Sequence, residues 1–142
     1  MPYSFLADLL VAFHVAYVGF VVLGQVAILI GAALHWSWIR NLWFRLGHLT
    51  AIGLVALEAI WGINCPLTVW ESNLRQLAGQ EFSGDSFMAR LLHRLIFFHV
   101  DPWILDIAHI AFAVLVLATL ILIPPRWGSQ GVVRLPAFRP RI

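Results

Sequence analysis

Three long apolar runs with ionisable side chains at mid-depth constrain this chain more than any other feature. The runs are Ser4–Leu34, Leu46–Asn64 and Trp103–Ile123. A helix needs ~20 apolar residues to cross the hydrocarbon core of a bilayer, and the runs have that scale. Within them lie His14, Glu58, Asp106 and His109. An ionisable group at such depth is costly, so it pairs with another group, lines a cavity or carries a function.

Composition agrees with a membrane chain. Of 142 residues, 61% are hydrophobic and 11% charged, and the mean hydropathy is +0.87. Soluble domains carry about 25% charged residues, and a chain this apolar would expose large greasy patches in water. The reading is one all-α integral membrane domain over residues 1–125, followed by an Arg/Pro-rich cytoplasmic tail over 126–142. The nine basic residues are all Arg, they are scattered, and the net charge is only +2, so nucleic acid is not an expected partner. Cys65 is the single cysteine, which excludes an internal disulfide and a cysteine-only metal site. The first run lacks a positive leading region and exceeds a signal-peptide core of ~7–15 residues, so it reads as a retained span.

The connecting segments supply the remaining elements. The second run should stop at Cys65-Pro66, because proline has no backbone N–H and disfavours a helical residue before it. Leu67–Ala78 reads as an amphipathic interfacial helix. Thr68 would cap it, with Glu71 three residues on in a capping-box pattern and Glu71 and Arg75 spaced i,i+4 for an ion pair. Phe87–Val100 is too short to span and is interrupted by Arg90, His93 and Arg94, so a helix at the interface is expected. Asp101 and Pro102 suit the N-cap and first turn of the last span. The expected fold is therefore three transmembrane helices plus one or two interfacial helices.

Arginine placement predicts orientation. Arg40 and Arg45 flank the first turn, and Arg126, Arg134, Arg139 and Arg141 follow the third span. With three spans these fall on one side, which the positive-inside rule makes cytoplasmic. The N-terminus, Cys65 and the Pro66–Pro102 segment then face outward.

At ~1.5 Å per residue, His14 lies about 15 Å and Glu58 about 9 Å from the outer ends of their spans. Asp106 and His109 sit within two turns of the outer end of theirs, on one helix face. One reading makes His14, Glu58, Asp106 and His109 ligands of a transition metal, since imidazole and carboxylate suit Zn, Fe, Cu or Mn. A second makes His14 and His109 axial ligands of a haem b between two spans. A third is structural: Arg90 or Arg94 dips in and neutralises Glu58 or Asp106, with the histidines hydrogen-bonding alongside. Arg45 and His48, near the opposite end, suggest either a lipid-phosphate contact or capping and snorkelling. Gly19, Gly24 and Gly31 suit close helix contact. Cys65 reads as a small packing residue, and His93 and His99 as surface histidines.

The stretch Asn64-Cys65-Pro66-Leu67-Thr68-Val69-Trp70-Glu71-Ser72-Asn73-Leu74-Arg75 resembles the signature of a small bacterial membrane family, domain of unknown function 2784. That pattern places a His in the first span, an Arg and a His opening the second, then Cys-Pro-Leu-Thr, a Glu, Leu-Arg and a Gly. Here these fall on His14, Arg45, His48, Cys65–Thr68, Glu71, Leu74-Arg75 and Gly79. The resemblance covers about Phe5 to Ile123 and implies the fold, a membrane location and a bacterial origin, but no activity.

No Ser-His-Asp order, Walker loop, HExxH or GxGxxG occurs, so the chain leans away from an enzyme. The leading expectation is a non-catalytic accessory subunit of a larger respiratory or photosynthetic complex in the bacterial inner membrane, N-terminus outside. Membrane lipids and other membrane subunits are its expected partners. The alternative is a haem- or metal-binding electron-transfer protein.

Overall fold

The computed structural model describes residues 2–81 and 84–127. Five α-helices follow one another: α1 Pro2–Ala33, α2 Leu42–Trp61, α3 Pro66–Leu77, α4 Phe87–Ile96 and α5 Pro102–Leu122. A short 3-10 turn, Trp38–Arg40, joins α1 to α2. Three of the helices, α1, α2 and α5, are long and apolar enough to cross a membrane. The expected tail lies outside the described residues beyond Trp127.

Local chemistry explains the helix ends. Asn41 caps α2 by accepting from the backbone N–H of Trp43 at 2.9 Å and of Phe44 at 3.2 Å, so α2 begins four residues before the apolar run does. It ends at Gly62, whose φ of 62° is left-handed. Glycine adopts that conformation at no steric cost, and the helix therefore stops three residues before the Cys65-Pro66 break. The capping box predicted at Thr68 does not form. Pro66 occupies the first turn of α3 and Cys65 is its N-cap residue. A proline's missing N–H costs nothing in a first turn, which draws the helix start ahead of Thr68. Thr68 Oγ1 is buried without a hydrogen-bond partner among the described residues. Asp101 does stand at the N-cap of α5, with Pro102 in the first turn, although its side chain makes no capping bond.

Helix α2 packs most extensively against α5, and α1 against α3. The buried positions of α1 are Ala7, His14, Val21, Gly24, Gln25, Ile28 and Gly31. Their dominant spacing is seven residues, with a second row three residues on. That is a narrow seam of coiled-coil type, and the rest of the helix faces outward. Val21 meets Ala51 and Ile52 of α2 and Val116 of α5 in the central apolar cluster, with Tyr17, Leu49, Val55, Phe112 and Ala113 packed around it. Large side chains such as Phe5, Phe13, Leu23, Leu54, Val114 and Ile121 remain exposed, as lipid-facing residues do.

Candidate functional site

The buried polar side chains sort into two groups at opposite ends of the bundle. At the end where α1 begins, Glu71 of α3 is only 2% exposed and is held by two guanidiniums. Its Oε1 accepts from Arg75 Nε at 2.9 Å and its Oε2 from Arg90 Nη2 at 2.6 Å. Arg75 extends the chain outward, donating to Asp8 Oδ1 at 3.1 Å and to Gln80 Oε1 at 3.0 Å. Helices α1, α3 and α4 are thereby joined through charge-assisted bonds, the strongest class of side-chain hydrogen bond. The bond it donates to Glu71 in particular, with Asp8 adding to it, pushes the Arg75 guanidinium above its ordinary value. His14 lies beside this cluster. It stacks on Phe87 of α4 with ring centroids 4.0 Å apart, and its nearest charges are Glu71 and Arg90.

The four residues predicted to share one intramembrane site are therefore divided among three places. His14 belongs to the Glu71 cluster. Glu58 and Cys65 interact with one another, and both influence Tyr17 electrostatically; the Tyr17 hydroxyl itself donates to the Ala51 carbonyl at 2.5 Å. Asp106 acts on His109 along one face of α5. Among the described residues no three His, Cys, Asp or Glu side chains are arranged to hold a metal ion. The physical reason is that α1, at this end, is held by α3 rather than by α2 and α5. The ion-pair expectation is corrected in the same way: Arg90 bridges to Glu71 rather than to Glu58 or Asp106, and Arg94 is exposed.

The second group lies near the Trp38 turn and ties the three spans together. Arg45 of α2 is 2% exposed, so it neither snorkels nor faces lipid. Its Nη2 donates to the carbonyls of Thr119 at 2.6 Å and Ile123 at 3.1 Å, capping the end of α5. A cation there also meets the negative end of the helix dipole. Arg45 Nε and Nη1 are buried without a partner among the described residues. His48 lies one turn on, with its Nε2 2.7 Å from the Val21 carbonyl of α1. Gln25 of α1 donates to Thr119 Oγ1 at 3.3 Å, and that hydroxyl bonds back to the Val116 carbonyl at 2.8 Å. Of the readings the sequence allows for Arg45 and His48, capping holds for Arg45, at the end of α5, whereas both side chains are too buried to reach lipid. The available signal was Gln25: two polar residues near one depth, on α1 and α2, mark facing surfaces.

Two further side chains come together unexpectedly. His93 and His99 are ring neighbours at 4.2 Å. Helix α4 ends at Phe97 in a left-handed conformation (φ 57°), which folds the chain back and brings the rings side by side. No helical spacing rule anticipates that contact.

Comparison with known proteins follows this geometry. The family described as Protein of Unknown function (DUF2784) matches residues 4–125. No curated protein and no solved structure matches. The match covers nearly the whole chain, which therefore belongs to the DUF2784 family.

Proposed function

We propose that this DUF2784 protein is a non-catalytic subunit that packs in the bacterial inner membrane against a larger assembly of the respiratory or photosynthetic kind. One observation carries the reading. Most of the buried polar side chains are engaged in fastening helices to one another, while the exposed faces of α1, α2 and α5 are mostly apolar, Asp8 near the start of α1 being a charged exception. A bundle of so few spans leaves those faces to lipid or to neighbouring helices.

The test is residue-by-residue photo-crosslinking in native membranes from Leu23, Leu54 and Val114, three exposed positions on the three spans. The expected result is protein crosslinks confined to one face, to the same partner each time. Lipid adducts from all three positions would overturn the proposal. So would a Soret band or stoichiometric metal in the purified protein that disappears in His14→Ala.

In this reading the N-terminus and Cys65 face outward and the Arg40–Arg45 turn faces the cytoplasm. Cys65 provides the check. Burial chiefly, with the neighbouring Glu58 carboxylate adding to it, pushes its thiol above the ordinary range. The thiolate is the reactive form, so alkylation is slow at neutral pH, climbs as pH rises and levels off only above that elevated value. A membrane-impermeant maleimide added to intact spheroplasts at alkaline pH is expected to label Cys65. Labelling only after the membrane is opened would reverse the orientation.

A further inference from the structure

A cationic hollow and an apolar groove meet at Trp38, where α1 turns into α2. The hollow, about 570 Å³, is lined by Arg40, Asn41, Trp43 and Arg126 among others. Backbone bonds hold its two cations together. The Arg126 N–H donates to the Arg40 carbonyl at 2.9 Å, and Arg40 Nε donates to the Pro124 carbonyl at 3.0 Å. Among the described residues no carboxylate lines this hollow and neither Arg40 nor Arg126 forms an ion pair. The groove, about 500 Å³, runs along α1 over Ala16, Gly19 and Ala27, between Phe20 and Phe44. Trp38 borders both.

We propose that this composite surface seats one anionic phospholipid, with its phosphate between Arg40 and Arg126 and an acyl chain along the Gly19 groove. Charge complementarity selects the occupant. Two guanidiniums lining one hollow with no acid among the described residues repel one another, and a phosphate relieves this while matching their fork of donors. Basic hollows between membrane helices take anionic headgroups for this reason. The groove adds what a free anion would leave unused: an open apolar surface that shares Trp38 with the charged hollow. Its floor is built of small residues, and a side chain added at Gly19 meets nothing within 4 Å. Trp38 at the junction suits the headgroup level, where tryptophan concentrates. Arg45 and His48 take no part, being buried in the helix-fastening network. The inference is independent of the subunit reading and of orientation.

The experiment is native mass spectrometry on the full chain with phosphatidylglycerol and phosphatidylcholine of identical acyl chains. Two Arg near a headgroup predict roughly thirtyfold tighter retention of phosphatidylglycerol. The Arg126→Gln variant should lose about fivefold of that preference. Its side chain is exposed and makes no hydrogen bond or ion pair among the described residues, so the fold does not depend on it. Arg40→Gln with Arg126→Gln should bring the two lipids to parity. Gly19→Leu fills the groove and should weaken both lipids alike while the headgroup preference persists. Equal retention of the two lipids by the unmodified protein would overturn the proposal. So would a preference untouched by Arg126→Gln, retention untouched by Gly19→Leu, or displacement of the lipid by excess inorganic phosphate, which would assign the hollow to a free anion.

Discussion

Replacing Glu71 with glutamine is expected to destabilise the protein by about 3 kcal/mol, the largest loss of any single polar substitution in it. The carboxylate is 2% exposed and receives bonds from two guanidiniums that are themselves only about one-fifth exposed, at 22% and 20%. Glutamine keeps the shape and removes the charge, leaving Arg75 and Arg90 facing each other across a neutral amide. Breaking a buried ion cluster by deleting one partner costs more than the cluster contributes, because the charges left behind lose their buried counter-charge. Asp8 does not rescue the loss. Its side chain is 71% exposed, and exposed pairs contribute about 0–1 kcal/mol. For a chain of this size the thermal midpoint in detergent should fall by roughly 10 °C. Arg94→Gln, at an exposed position on α4, should change it by about 1 °C or less.

A triple replacement separates an ion cluster from mere packing. Glu71→Met with Arg75→Met and Arg90→Met removes all three charges, and apolar replacement of a whole buried cluster is commonly neutral or stabilising. The triple variant should therefore recover most of the stability that Glu71→Gln loses. If it is less stable than Glu71→Gln, the cluster is more than charge pairing and the argument from desolvation is wrong.

The Glu71 cluster also shows where sequence reasoning stops. The Glu71–Arg75 spacing is visible because it is local to one helix, and the 2.9 Å bond forms along α3. The Arg90 arm is not visible, because it depends on where α4 comes to lie relative to Glu71 after the intervening loop, and no periodicity encodes that placement. The spans are readable for the same reason the spacing is: each is a long apolar run, and Pro102 marks the start of α5. The start of α2 is not, because its Asn41 cap lies four residues ahead of the apolar run. The convergence of His14, Glu58, Asp106 and His109 was argued from depth alone. Equal depth places residues in one plane but does not say which helices are neighbours in it. Helix α3 lies along α1 at that end, so the plane is divided and the four side chains find different partners.

Opposite signs are expected for two alanine substitutions only five residues apart on α1. A methyl group at Gly24 would lie 2.8 Å from His48 Cδ2 and 3.0 Å from Nε2, whereas one at Gly19 meets nothing within 4 Å. The imidazole of His48 cannot simply retreat. It is 1% exposed, is held to the Val21 carbonyl at 2.7 Å and has Phe20 and Phe44 as ring neighbours. Gly24→Ala must therefore push α1 away from α2 or break that bond. Overpacking costs about 1–3 kcal/mol and a lost hydrogen bond about 1 kcal/mol, so roughly 3 kcal/mol of destabilisation is expected. Gly19→Ala carries no clash and reduces the freedom of the unfolded chain, so it should stabilise by about 0.5–1 kcal/mol. A double-mutant cycle with His48→Ala assigns the cause. Removing the imidazole opens the space that the new methyl needs, so Gly24→Ala should cost almost nothing in the His48→Ala background, though His48→Ala is itself destabilising. Thermal midpoints of the four proteins decide the matter. A penalty for Gly24→Ala that persists without the imidazole would mean that the close approach of α1 and α2 is set by the backbones, and that His48 fills the gap rather than defining it.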